Sequence, residues 1–343
     1  MAAAAQRRGC QGTGRVPGFT GRGASRRGVR GGPASRGVAR MTGPRLVTCH
    51  QPVYLPWPGF FHKLVLADVF VVMDTVNFSR RGNQSRNRIM TADGRPHWVT
   101  VPLALKASPS RRLRDVRIAS QDGVRDAEHA GMSVPKWQRD HWNSLRLSYG
   151  RAPYWSRYAA ELEELYLGRT WTKLMDLNTA LLRLLVAWLK IDVEFVLASE
   201  LGSTGAKSDL VLDQCLRSAA SLYVSGTHGK DYLQEEHFLE NGISIFYQSY
   251  RLPETGAPCS ATPQALSVID LLFRRGVAAK DALSDGNITR SDIVDALHGA
   301  GAPTVLETHA TRASTRQSVR VRGPHALLGE PAPEARPLGD GHA

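Results

Sequence analysis

The 343-residue chain holds four cysteines, Cys10, Cys49, Cys215 and Cys259, none in a CxxC pair or beside a paired-histidine pattern. Their scarcity and spacing exclude a zinc ribbon and a disulfide framework, and they fit a reducing compartment. No run of eighteen apolar residues occurs, so no membrane-spanning helix is offered. The phosphate-cradling pattern GxxxxGK[ST] is also missing. Acid is absent from residues 1–40, which carry nine arginines. Residues 312–343 add five arginines against three acids, so only +2 of the formal +13 falls on residues 41–311. A nearly neutral body excludes a broad phosphate-binding face, and no nucleic-acid partner is expected for it.

Residues 1–43 are expected to form a disordered Arg/Gly-rich extension, because they cannot bury enough apolar surface to offset chain entropy. A nucleic-acid arm, a transit peptide and an upstream segment preceding a true start at Met41 all fit that composition. The last is favoured, since neither a hydrophobic h-region nor an amphipathic pattern is present. Residues 44–300 read as a single α/β domain, and 301–343 as a disordered Pro/Gly/Ala tail.

What the chain does have is concentrated between Cys49 and Ile89, where polar, aromatic and basic residues are denser than a plain core requires. Arg45–Cys49 reads as a strand, the proline-braced turn from Pro52 to Pro58 follows, and Gly59–Leu66 reads as a helix on Phe60, Phe61, Leu64 and Val65. The continuous apolar run Val69–Asp74 reads as a buried parallel strand. Segments 88–90 and 97–102 flank the turn Ala92-Asp93-Gly94 and predict an antiparallel hairpin. Helices are expected over Ser133–Leu147, Pro153–Leu165 and Trp171–Leu189. Strands at 193–198, 222–225 and 243–246 then alternate with helices at 209–219, 231–240 and 266–274. The fold class that follows is α/β: a Rossmann-like, mainly parallel sheet with a helical insertion and a small antiparallel hairpin.

Open α/β sheets bind ligands beyond the carboxyl ends of their strands. His50 sits there, and an imidazole in that place can serve as general base, general acid or phosphate donor; the competing reading is a structural histidine. Gln51 and Tyr54 are polar groups in the same stiffened loop, whereas Trp57, Phe60 and Phe61 read as packing. Cys49 should point to the opposite face from His50 and behave as a small buried residue. Asp74 closes its strand either as a cap or as a site residue. Arg80, Arg81, Asn83, Asn87 and Arg88 can form a recognition loop, since guanidinium forks bind carboxylate or phosphate bidentately. His141, beside Trp137 and Trp142 on a predicted helix, is a further candidate. The loop Ser225, Gly226, Thr227, His228, Gly229, Lys230, Asp231, Tyr232 enters a predicted helix and can cradle an anion on its N–H groups and Lys230. With the loop at 202–208, three polar loops would converge on one crevice.

The string HQPVYLPWPGFFHKLVLADVFVVMDTVNFSRR, followed by NRI, resembles the opening of the WbqC-like protein family. The likeness continues through KWQRDHW, SELGSTGAKS, YVSGTHGKDYL and LSVIDLLFRRG, over residues 46–276. It departs at Pro253–Pro258, where the family usually carries a Tyr-rich segment. The resemblance implies a bacterial, cytoplasmic protein of surface-polysaccharide (O-antigen) or specialised-metabolite biosynthesis. It also implies transfer of an acyl or aminoacyl group to an amine. The substrate would be a small molecule or nucleotide sugar, with an acyl or peptidyl carrier protein as donor. His50, Asp74 and His141 are the catalytic candidates. The binding candidates are Gln51, Tyr54, Arg80, Arg81, Asn83, Asn87, Arg88, Ser225, Gly226, Lys230, Asp231 and Tyr232. No metal, cofactor or membrane partner is expected. A HUP-type nucleotidyltransferase is the alternative by fold analogy, though the HxGH signature is absent, and a non-catalytic nucleotide-sugar binding protein is another.

Overall fold

The structure is a computed structural model that describes residues 43–119, 134–252, 266–310 and 316–322. Cys10, Cys259, the proposed arm at 1–40 and the departure at Pro253–Pro258 lie outside the described residues. A seven-stranded sheet forms the centre, in the order β5-β2-β1-β6-β7-β8-β9. Its strands are β1 (Leu46–His50), β2 (Val69–Val72), β5 (Glu194–Leu197), β6 (Leu222–Gly226), β7 (Ser244–Gln248), β8 (Val305–His309) and β9 (Ser318–Val321). All neighbours run parallel except β8 and β9. A separate antiparallel pair, β3 (Arg86–Met90) and β4 (Pro96–Thr100), makes the expected hairpin, with Gly94 at φ 78 in its turn.

The mixed α/β class with a mostly parallel sheet and a small hairpin is therefore as the alternation of apolar runs predicts. Buried residues alternate across it. Val47, Cys49, Tyr223, Ile245 and Tyr247 pack on one face with α6 (Lys207–Arg217) and α7 (Glu235–Glu240). Phe70 and Val72 pack on the other with α1 (Pro58–Leu66), the helical block and α8 (Val268–Arg275). The block consists of α2 (Lys136–Tyr149), α3 (Trp155–Leu167) and α4 (Leu174–Trp188), inserted between hairpin and β5. β1 leads to β2 on one side, whereas the chain returns after β5 to place β6 on the other. The topological switch point thus lies between β1 and β6.

Two expectations need correction. A tail was expected from residue 301, yet β8 adds to β7 and β9 closes the edge antiparallel. These strands are only 5 and 4 residues long, too short to stand out against Pro/Gly/Ala composition. They are tied in by ions: Arg322 bridges Glu235, at 2.6 Å, and Glu307, while Lys230 meets Glu307 at 3.0 Å. The helices α9 (Ala279–Ser284) and α10 (Arg290–Ala300) precede them, and Thr289 with Asp292 forms a capping box at the start of α10. The predicted helix at 231–240 is instead a 3₁₀ turn, Thr227–Asp231, followed by α7, and α5 (Ala198–Leu201) is a further short helix.

Candidate functional site at the sheet switch point

A cavity of about 460 Å³ opens at the carboxyl ends of β1, β6 and β7. Cys49 and His50 come from β1, Trp57, Gly59 and Lys63 from the turn and α1, and Ser225 and Gly226 from β6. The 3₁₀ turn adds His228, Tyr232 lies just beyond it, and Gln248 and Tyr250 follow β7. The loop at 202–208 is not among its walls; the segment after β7 takes that place. No aspartate or glutamate lines it among the described residues.

α1 supplies the main charge. Pro58 begins the helix after an extended Trp57, and eight of its nine residues are buried, because α1 is covered by sheet and helices together. Lys63 is one of them, 6% exposed, and makes no hydrogen bond or ion pair with any described group. Burial pulls its amine down from the ordinary 10.5 to about 8. Gly59 lies one turn earlier on the same helix face. A Cβ there would stand 3.0 Å from Tyr250, so the missing side chain lets that ring close over the helix.

The neighbouring His62 is held differently. Its Nε2–H donates to Ile288 O at 3.0 Å, and its Nδ1 accepts from Gln248 Nε2 at 2.6 Å. Gln248 also donates to Gly59 O, which fixes the cavity floor. Burial lowers His62 to about 4, so it is neutral.

His50 reaches the cavity as expected. Its Nδ1–H donates to Gln51 O at 2.7 Å, and its ring lies edge-on to Trp57 and Phe60. The Nε2 lone pair is left without a partner among the described residues. Burial first, and the Lys63 amine second, bring the imidazole down to about 3. So low a value makes His50 a hydrogen-bond acceptor and a poor base near neutrality. Cys49 packs with Cys215 and Tyr223 on the opposite face, yet it also borders the cavity.

Ser225, Gly226 and Tyr232 join His50 at the cavity; the other sequence-derived candidates do not line it. Tyr54 and His141 are buried in the helical layer, where Tyr54 Oη bonds His141 Nδ1 at 2.7 Å and the Tyr166 hydroxyl. Asp74 accepts from Ser199 N at 2.9 Å and thereby caps α5. Gln51 accepts from Gln84, which is itself held by Ser79 N, and so braces the loop. Asn83 O accepts from Tyr54 N at 3.0 Å. Asn87 donates to Leu55 O, pinning a residue with φ 47 just before Pro56. Arg80 and Arg81 are exposed, while Arg86 and Arg88 both stack on the half-exposed Trp98, at 5.0 and 5.2 Å, without a carboxylate partner. Lys230 is engaged by Glu307, and Asp231 faces His228 on the surface, so no anion cradle forms there.

Sequence reasoning missed Lys63, Gln248 and Tyr250. One signal was available: His62-Lys63 interrupts a helix that is otherwise apolar all round, which marks a buried polar site.

The model of the WbqC-like protein family matches residues 51–282. The chain belongs to the WbqC-like protein family. It is similar to "Uncharacterized protein Rv1507c" of Mycobacterium tuberculosis (strain ATCC 25618 / H37Rv), 29% identical over 236 residues, which cover 68% of this chain and 95% of that protein. No solved structure matches the chain. Lys63, Gln248 and Tyr250 fall inside the WbqC-like match, whereas β8 and β9 lie beyond it. Among the described residues no helix is long and apolar enough to cross a membrane, and no group of three His, Cys, Asp or Glu is placed to hold a metal.

Proposed function

We propose that this WbqC-like protein is a transferase that moves an acyl or aminoacyl group onto an amine of a small molecule or nucleotide sugar, in the cytoplasm, within polysaccharide or specialised-metabolite biosynthesis. The observation that carries the reading is the unpaired Lys63 amine beside the free Nε2 of His50 in one cavity of about 460 Å³. That volume suits a small-molecule site. Lys63, held at about 8, is matched to take a proton from an attacking amine at neutral pH, so the base is assigned to Lys63 rather than His50. His50 accepts a hydrogen bond from the substrate. The amine nitrogen forms the new bond to the acyl carbon, its proton passes to Lys63, and the donor's thiolate or alkoxide leaves and takes that proton from the Lys63 ammonium. Arg88, with Arg86 over Trp98, is the anion grip this reading assigns to a phosphate-bearing donor, and Arg80 and Arg81 stand as secondary contacts.

A second reading has Cys49 in its favour, because it borders the same cavity and interacts electrostatically with Lys63. The acyl group would then rest on Cys49 as a thioester before reaching the amine. The test is a product assay by mass spectrometry with thioester donors and UDP- or dTDP-amino sugars. Loss of product in Lys63→Met with retention in Cys49→Ser supports the first reading. A trapped Cys49 adduct with a dead Cys49→Ser supports the second, and undiminished turnover by Lys63→Met overturns the assignment of the base.

A further inference from the structure

Lys63 alone among the described lysines is buried; Lys106, Lys173, Lys190 and Lys207 stand in solvent. Lys136 meets Asp140, Lys230 meets Glu307, and Lys280 donates to Lys190 O, all at exposed or partly exposed positions. Lys63 is buried and, among the described residues, makes no hydrogen bond or ion pair, with only the Cys49 thiol as an electrostatic neighbour. Among the described residues that line the cavity no carboxylate is present to hold an ammonium. A buried, uncompensated ammonium is costly, and the free amine that replaces it is a nucleophile.

The space before that amine is open. A Cβ added at Gly226, at the end of β6, would meet nothing within 4 Å. Two groups able to hydrogen-bond a ligand border the same space. His50 keeps its Nε2 lone pair free, and the Tyr250 hydroxyl is buried without a partner among the described residues. An orphaned hydroxyl in a cavity wall is expected to find its partner in a ligand.

We propose that Lys63 forms an imine with an aldehyde or ketone bound in this cavity. The Nζ lone pair adds to the carbonyl carbon, the C=O π electrons go to oxygen, and one N–H proton moves to that oxygen to give a carbinolamine. The second N–H proton leaves with the hydroxyl as water as the C=N bond forms, so no oxidant or reductant is consumed. The Tyr250 hydroxyl donates to the developing oxygen, and His50 Nε2 accepts a hydrogen bond from the carbinolamine and holds it in place. This activity uses the cavity of the transferase reading but needs no acyl donor.

The experiment is reductive trapping on the full chain. Glyoxylate or acetaldehyde is added at pH 7.5, sodium cyanoborohydride reduces any imine, and digestion with mass spectrometry locates the adduct. Lys63 is expected to be labelled about tenfold or more faster than the exposed Lys106, since each unit of depressed pKa enriches the free amine tenfold. Lys63→Arg should lose only the fast adduct, and His50→Ala should slow it. Labelling spread over the surface lysines, with Lys63 no faster than Lys106, overturns the inference. The acyl-transfer assay on the same preparation separates the two claims: trapping without amide product supports the imine alone, and amide product without trapping leaves Lys63 a base and sinks the imine.

Discussion

His50 and His141 both arise from aromatic-rich segments, yet their surroundings are opposite. His141 is closed in, with Nδ1 on the Tyr54 hydroxyl and a backbone bond at Thr100, and Gln138 nearby binds Tyr166 O, Arg169 O and Trp171 N. At the switch point His50 Nε2, Lys63 Nζ and the Tyr250 hydroxyl are left over. The helical layer leaves single buried atoms unpaired on separate helices, Trp137 Nε1, Tyr158 Oη and Thr179 Oγ1 among them, whereas the sheet end gathers its unpaired groups around one cavity. Buried polar groups are ordinarily satisfied, so unpaired ones that share a cavity mark a candidate site better than residue type does.

The largest test of this contrast is Lys63→Met. Activity should fall by ~10²–10⁴-fold, as loss of a general base does. The melting temperature should hold or rise, because a buried charge without a partner is removed. A melting temperature that drops sharply would make Lys63 structural and erase the contrast.

Acid comes next. His50 is lowered to about 3, and His62 and His141 to about 4, against an ordinary 6.5. Below 6.5 the unfolded chain binds protons that the folded chain refuses. Stability is therefore full above pH 6.5 and is lost as pH falls toward 4, by on the order of a few kcal/mol. Denaturant titrations at pH 7 and pH 4.5 measure it, and His62→Gln should flatten the slope. An unchanged midpoint at pH 4.5 would mean these imidazoles protonate freely in the fold.

His141→Ala should cost about 1–3 kcal/mol, because it removes one of the two partners of the buried Tyr54 hydroxyl and the bond at the Thr100 backbone, with kcat per folded molecule retained. If turnover collapses while the protein stays folded, the closed cluster takes part in the chemistry after all. The smallest effect is expected for Asp74→Ala, about 1 kcal/mol from a lost cap on α5 without change in KM, measured by thermal melts beside steady-state kinetics.

Much of the fold was legible. Val69–Val72 and Ser244–Gln248 are apolar runs of strand length, and Ala92-Asp93-Gly94 marks the hairpin, because local pattern decides such elements. β8 and β9 were not legible: a short edge strand owes its existence to Arg322, Glu307 and Glu235, which lie far apart in the chain. The site was legible at His50, Ser225, Gly226 and Tyr232, which stand at or near strand ends.

The opening motif by itself determined the family and the strand–turn–helix–strand order, and pointed to the end of β1, where the cavity lies. Which of its polar side chains face that site was decided only by tertiary structure. Gln51, Tyr54 and Asn87 turn to partners 112 residues away or fewer and are used up, and Tyr54 reaches His141 and Tyr166 only because the helical block folds over it. Lys63 is left unpaired only because β6 and β7 bring Gly226, Gln248 and Tyr250 beside it without a carboxylate. A side chain's partner across the chain is set by how the layers pack, and no local pattern encodes the absence of one.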